Sequence, residues 1–309
     1  EGINLVSSCL SNNYFQDGDE VLVTSLEHHA NLVPWHLVLK KIKIISANLN
    51  NKGEIDYNDL IEKINSKTKL IAITHMSNVT GSITNFEDIK LKAKKFNIPI
   101  LIDGCQFAPH KKLDIMDLDP DFYVFSAHKL YGPSGLGVLY IKDYWIDKLE
   151  PYQGGGSMIK NVETDTSTYL DNNHKFEAGT PPIAQVIGLS SAIDFINELG
   201  IENIYDHENE LTKYAYEKIK EKNDIKVYGD FINQTSIISF NVDDIHFNDL
   251  AMFLDKKNIA IRTGHHCAQP FMKHFNITGN ARMSVGIYNT KDDVDYFIQS
   301  LEDLKKILK

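Results

Sequence analysis

Short apolar runs alternate with amphipathic stretches through the first two thirds of the chain. Glu20-Val21-Leu22-Val23-Thr24, Ile42-Lys43-Ile44-Ile45 and Leu70-Ile71-Ala72-Ile73-Thr74 are too short for helices and rich in β-branched residues, the pattern of buried strands. Between and after them, Leu32 to Lys41, Tyr57 to Ile64 and Asn85 to Phe96 carry helical spacing, with Pro34 tolerable in a first turn. Two further strands follow: Pro99-Ile100-Leu101-Ile102 and the apolar run that begins after Asp121. Gly137-Val138-Leu139-Tyr140-Ile141 adds another, and Ile183 to Leu199 reads as a long helix closed by Gly200. Such alternation predicts an α/β fold, a mainly parallel sheet with helices on both faces.

Beyond residue 200 the texture changes. A polar helix from Ile204 to Lys222 leads to strands at Ile225–Tyr228 and Ser236–Asn241, a helix from Asn248 to Lys257, and strands at Ile259–Arg262 and from Arg282. A last helix runs from Asp292 to Leu308, with Thr290 and Asp293 placed as a capping box. The expected division is a large domain over 1–199 and a smaller C-terminal α+β domain over 200–309.

At 309 residues, 42% hydrophobic and 24% charged, the composition is that of a globular protein with ample core. A net charge of -10 argues against a nucleic-acid partner, and no apolar stretch is long enough to cross a bilayer. Cys9, Cys105 and Cys267 form no CxxC and no even framework, which favours a reducing compartment such as the cytoplasm. The chain opens at Glu1-Gly2-Ile3-Asn4-Leu5-Val6, without methionine and in the pattern of a helix already under way, so a preceding segment is expected.

The chemistry concentrates at strand ends. Asp103 closes one strand, and Lys129 follows the next in Ser126-Ala127-His128-Lys129. A lysine that forms a Schiff base and an aspartate that pairs with a pyridine nitrogen are the two protein groups a pyridoxal 5'-phosphate site needs. Open α/β sheets build such sites beyond the carboxyl ends of their strands. Ser126 and His128 are possible phosphate donors, and Gln106 fits a capping box or a donor to the phenolic oxygen. Glu27-His28-His29-Ala30-Asn31 reads as a helix start, a zinc fragment or an imidazole stacked on a flat cofactor; adjacent histidines rarely ligate one metal. In Arg262-Thr263-Gly264-His265-His266-Cys267-Ala268 the basic neighbours favour a thiolate at Cys267. Arg282 is a structural arginine or a carboxylate clamp, and Thr180 is a helix cap or something more.

Together these segments, with Thr74-His75-Met76-Ser77-Asn78 and Phe176 to Pro181, resemble the Suf-type (group II) cysteine desulfurases, class-V enzymes of aminotransferase fold type I. The resemblance runs essentially from Glu1 to the C-terminus. It implies that Lys129 holds pyridoxal 5'-phosphate and moves protons, that Asp103 pairs with the ring nitrogen, and that Gln106 contacts the phenolic oxygen. His28 would stack on the ring and take part in proton transfer. Ser126 and His128 would bind the phosphate, joined by Thr180 from the other subunit of a homodimer. Asn78, Arg262 and Arg282 would hold the carboxylate of L-cysteine. Cys267 would take the sulfur as a persulfide, leave L-alanine, and pass the sulfur to a small acceptor protein of the SufE/SufU kind for iron–sulfur cluster assembly. Cys105 stands where the family usually has alanine and Ala127 where it has glycine. The family places a threonine-containing phosphate turn just ahead of the residue matching Glu1, and a plastid-type transit peptide would also lie there. The alternatives are a selenocysteine lyase acting on L-selenocysteine, a non-catalytic scaffold or sulfur-transfer partner with a vestigial site, and a metal-binding role for the histidine pairs.

Overall fold

The computed structural model describes residues 1–308. In chain order, α1 (Gly2–Asn13), β1 (Asp19–Thr24), α2 (Val33–His36), β2 (Ile42–Ala47), α3 (Tyr57–Lys63), β3 (Thr68–Thr74), α4 (Glu87–Phe96) and β4 (Ile100–Asp103) come first. Then follow α5 (Ile115–Leu118), β5 (Phe122–Ser126), β6 (Gly137–Ile141), α6 (Asp143–Ile146), β7 (Ile159–Val162), β8 (Ser167–Tyr169), α7 (Ile183–Leu199) and α8 (Ile201–Lys220). The rest comprises β9 (Ile225–Tyr228), β10 (Ile237–Val242), α9 (Phe247–Asp255), β11 (Arg262–Gly264), α10 (Gln269–His274), β12 (Asn280–Ser284) and α11 (Lys291–Leu308).

One six-stranded sheet runs in the order β2-β1-β3-β4-β5-β6. All its pairs are parallel except β5–β6, which is antiparallel. The central strands are apolar on both faces because both faces are covered. Leu22, Ile71, Ile73, Ile100, Ile102 and Tyr123 enter one core with α3 and α4. Val21, Val23, Leu70, Ala72, Leu101 and Phe122 enter the other, against Val6, Leu10, Trp35 and Trp145. Each such fully buried aliphatic side chain contributes about 1.5–3 kcal/mol from transfer alone. The parallel strands therefore end together, and the loops after β1, β3, β4 and β5 share one edge of the sheet.

A second, antiparallel sheet in the order β11-β12-β10-β9 packs on α8, α9 and α11. Phe271 and Met272 of α10 bury into the first core, which ties this sheet's loops to the large one. Local signals account for many boundaries. Asp56 caps α3 by accepting the N–H groups of Asn58 and Asp59. Thr290 and Asp293 form the expected reciprocal box: Thr290 N–H donates to Asp293 Oδ2 at 2.8 Å and Asp293 N–H to Thr290 Oγ1 at 3.3 Å. Gly200 closes α7 with φ +83° and donates its N–H to the Ile196 carbonyl.

Two expectations are corrected. The helix expected over Leu32–Lys41 is the single turn α2, because Leu37 and Leu39 are 77% and 49% exposed and nothing covers a longer apolar face. The strand expected at Ile259–Arg262 lies later, as β11. Asn258 turns left-handed at φ +58°, and Ile259 N–H bonds back to Leu254, so the chain first closes the end of α9. Among the described residues no helix is long and apolar enough to cross a membrane.

Candidate active site

At the shared sheet edge, a cavity of about 250 Å³ is lined by His28, Asn78, Gln106, Lys129, Arg262 and Arg282, together with Pro109, His110, Ser236, Ile237 and Ser284. Six residues singled out from the sequence thus meet, drawn from the loops after β1, β3, β4 and β5 and from β11 and β12. Asp103, Ser126, His128, Thr180 and Cys267 lie outside the lining itself.

Asp103 is the last residue of β4 and is 5% exposed. Its Oδ1 accepts the Cys105 N–H at 3.0 Å, and Gly104 bonds back to Val124 at 2.8 Å, so the carboxylate is fixed where the strand stops. Gly104 is obligatory here, since a Cβ would lie 2.0 Å from Cζ and OH of the buried Tyr123. That hydroxyl meets His75 Nδ1 at 3.0 Å, and the His75 ring stacks on Phe107 at 3.5 Å and 8°. Burial pushes His75 down to about 3 and Tyr123 well above its ordinary range, so both stay neutral.

Lys129 ends a short 3-10 turn, Ala127–Lys129, and its side chain is partly exposed on the cavity. Among the described residues it takes part in no ion pair within 4.0 Å. His28 starts the turn after β1. Its Nδ1 accepts the Ala30 N–H at 3.0 Å, which leaves the proton on Nε2, and burial followed by the Lys129 charge holds its pKa below the usual value. Beneath it Glu27 is fully buried, accepting from Thr24 Oγ1 and Asn31 Nδ2 at 2.7 Å each.

Arg262 and Arg282 face each other directly across the β11–β12 pair. Like charges opposite one another destabilise a sheet unless an anion joins them. Burial first, then Arg262, lowers Arg282 to about 10, and among the described residues its buried Nε has no hydrogen-bond partner. Its Nη1 donates to the Asn78 carbonyl at 2.7 Å, and Asn78 Nδ2 donates to the His266 carbonyl at 2.7 Å. Paired guanidiniums lining one cavity suit a carboxylate.

Cys267 sits in a turn after β11 that carries two consecutive left-handed residues, His266 at φ +52° and Cys267 at φ +56°. Ala268 N–H closes it onto the His265 carbonyl at 2.8 Å, the signature of a type I′ turn, in which Asn and Gly are the favoured residues. Each such residue costs about 1–3 kcal/mol and persists where its surroundings hold it. His266 is pushed down to about 4 by burial and by Arg282, so it lends no charge to the thiol beside it; Arg262 is the cation of this segment.

Ser126 Oγ lies 3.6 Å from Cys105 Sγ, and burial lifts the Cys105 thiol to about 12, an inert neighbour rather than a nucleophile. His128 is exposed, as is Thr180, which does not cap α7: the cap position is Pro182. Among the described residues no group of three or more His, Cys, Asp or Glu is placed so as to hold a metal ion.

Sequence reasoning missed His110. Its Nδ1 lies 2.6 Å from Glu208 Oε2, which also accepts from Ser236 Oγ at 2.9 Å. The readable signal was Glu208, a carboxylate inside the buried stripe Ile204, Leu211, Ala215, Ile219 of α8.

The residues present suit pyridoxal 5'-phosphate. A buried strand-end carboxylate stands ready for a pyridinium, a lysine one strand away for an aldehyde, and a neutral imidazole and Arg282 border the same cavity. Comparison with known proteins agrees. The profile of aminotransferase class V matches residues 1–297. A cysteine desulfurase of Serratia proteamaculans is 42% identical over 311 residues, covering 100% of this chain and 76% of the relative. The crystal structure of the cysteine desulfurase CsdA from Escherichia coli superposes with TM-score 0.94 at 34% identity, covering 99% of this chain and 77% of that one. The apo cysteine desulfurase of Thermococcus onnurineus NA1 gives TM-score 0.94 at 35% identity, with the same two coverages. Because strand-end chemistry, family profile and relatives across the chain's length point the same way, this chain belongs to the class-V aminotransferase family as a cysteine desulfurase.

Proposed function

We propose that the chain converts L-cysteine to L-alanine and carries the released sulfur on Cys267. The observation that carries this reading is the cavity that joins Lys129 to the unsatisfied Arg282. In it Arg282 is the main clamp on the substrate carboxylate, with Arg262 and Asn78 beside it. Asp103 holds the cofactor's ring nitrogen, Gln106 its phenolic oxygen, His28 its face, and Ser126 and His128 its phosphate. Thr180, exposed ahead of α7, serves the phosphate site of a second copy in a homodimer. When bound, pyridoxal 5'-phosphate supplies the electron sink that allows bonds at the substrate Cα and Cβ to break. Lys129 binds the cofactor and then takes and returns the proton at Cα. The Cys267 thiolate attacks the substrate sulfur; the S–S bond forms as the C–S bond breaks, and a proton on carbon completes L-alanine.

The division of labour follows the two sheets: residues 1–199 form the cofactor platform and 200–309 present the nucleophile. The persulfide passes to a small acceptor protein of the SufE/SufU kind for iron–sulfur cluster assembly. A reducing cytoplasm suits three free thiols.

The test is the absorption spectrum of the chain incubated with pyridoxal 5'-phosphate, before and after L-cysteine, with Lys129→Ala and Cys267→Ala alongside. A visible band that requires Lys129 and shifts with L-cysteine, with alanine formation lost in Cys267→Ala, supports the reading. Alanine formation undiminished in either variant refutes it.

A further inference from the structure

Two histidines stand side by side after β1, and only His28 lines the cavity. His29 engages the turn that carries Cys267. Its backbone N–H donates to the Cys267 carbonyl at 2.7 Å, and its Nε2 accepts the Gln269 N–H, at the start of α10, at 3.3 Å. Its ring lies 5.6 Å from that of His265, centroid to centroid, at 34°. His265 Nδ1 in turn accepts the Cys267 N–H at 3.0 Å. Both backbone groups of Cys267 are thereby held, and so is the residue that follows the turn. The third restraint is the Asn78 amide on the His266 carbonyl.

These bonds surround the two left-handed residues of the turn. A non-glycine residue leaves that conformation when its restraints go. Of the restraints, the His265 bond is internal to the turn. The Asn78 and His29 bonds reach it from the large sheet, and Asn78 also belongs to the carboxylate clamp. The contribution of the His29 side chain is therefore the one that can be removed without touching the cavity.

We infer that His29 is a positioning residue for Cys267: its imidazole anchors the start of α10 to the loop after β1 and so fixes the point from which the thiolate reaches the substrate sulfur. This rests on the reading of Cys267 as the nucleophile. The His29 ring accepts an N–H group at Nε2 and burial holds its pKa below the usual value, so His29 acts through geometry and not by charging the thiol. Two chemical features define the tether, an acceptor at Nε2 and a flat ring against His265.

The experiment compares wild type, His29→Leu and His29→Gln, each loaded with pyridoxal 5'-phosphate. Gln places an amide oxygen where Nε2 stands; Leu does not. One readout is the rate at which iodoacetamide alkylates Cys267, followed by peptide mass spectrometry. The other is kcat and KM for alanine formation from L-cysteine. The expected result for His29→Leu is alkylation on the order of threefold faster, kcat lowered on the order of tenfold, and KM within about twofold of wild type, because the cavity residues are intact. His29→Gln should restore both rates most of the way. Wild-type alkylation in His29→Leu, or a His29→Gln variant as impaired as His29→Leu, overturns the inference. Should His29→Leu fail to fold, His29→Asn, whose shorter amide cannot reach Gln269, takes its place with the same expectations. Alkylation needs no turnover, so it tests the tether even where Cys267→Ala retains full alanine formation and the nucleophile reading itself has failed.

Discussion

Replacing Glu27 by Gln should flatten the chain's stability as a function of pH. Glu27 is fully buried beneath His28, and burial pushes its carboxyl from 4.5 up to about 8, with Asp103 adding to the rise and the donors Thr24 and Asn31 opposing it. Between those two values the folded chain keeps a proton that the unfolded chain has released. The stabilising contribution is therefore complete below 4.5, is lost progressively as pH rises, and is gone above about 8. The slope is about 1.4 kcal/mol per pH unit, so stability falls by about 2.7 kcal/mol between about pH 5.5 and about pH 7.5 from this group alone. A neutral Glu27 keeps its contacts, because both oxygens of a protonated carboxyl retain acceptor capacity for Thr24 Oγ1 and Asn31 Nδ2. Gln has the same shape and nothing to titrate. Urea unfolding of wild type and Glu27→Gln across that range, taken as a difference, isolates the residue from every other titrating group. A difference that grows with pH in favour of Glu27→Gln, by an amount of that order, is expected. Parallel curves would refute the assignment of a proton to Glu27.

Gly104→Ala should destabilise the chain by about 1–3 kcal/mol or more through overpacking, since its methyl meets Tyr123 at 2.0 Å, and should weaken pyridoxal 5'-phosphate binding by shifting Asp103. Adding Tyr123→Phe should not rescue it, because ring Cζ lies at the same 2.0 Å; recovery of the melting temperature in the double variant would show that the hydroxyl alone makes the clash. Glu208→Ala should cost about 1–3 kcal/mol by urea unfolding, because it removes the acceptor that Ser236 Oγ and the His110 ring share, and a loss below about 0.5 kcal/mol would place those bonds among energetically idle contacts.

The large sheet was legible because parallel strands covered on both faces read as unbroken apolar runs: Leu70 to Ile73 and Ile100 to Ile102 have at most 5% exposure. Asp103 and Lys129 followed, since a strand's end fixes where its next residue points. What stayed hidden lacks a one-dimensional trace. The β7–β8 hairpin is mostly exposed and so shows no apolar alternation. His110 meets a carboxylate 98 positions away, and His29 an amide 240 positions away. An imidazole facing solvent and one facing a distant backbone look alike in sequence. Cys105 is the opposite case: its neighbours in sequence already mark it as structural, and burial keeps the thiol inert.

The electrostatics of the site explain why so many titratable groups gather there without confusing it. His75 and His266 are pushed down to about 3 and about 4, and Glu27 up to about 8, each chiefly by burial. At neutral pH all three are uncharged. A protonated His266 would add a third cation beside Arg262 and Arg282, and an ionised Glu27 would set a second anion against Asp103. Either would cost several kcal/mol of desolvation and blur the contrast the site needs. With them neutral, one buried carboxylate, Asp103, is left in the proposed mechanism to pair with a ring nitrogen, and two guanidiniums are left to hold a substrate carboxylate. An amino acid carries its carboxylate, amino group and thiol on one short frame. Fixing the carboxylate at the arginines directs the amino group toward Lys129, while the thiol must meet a nucleophile supplied from elsewhere. That geometry calls for a mobile-looking loop that is in fact restrained, and the left-handed turn at His266 and Cys267, held by Asn78 and His29, meets that requirement.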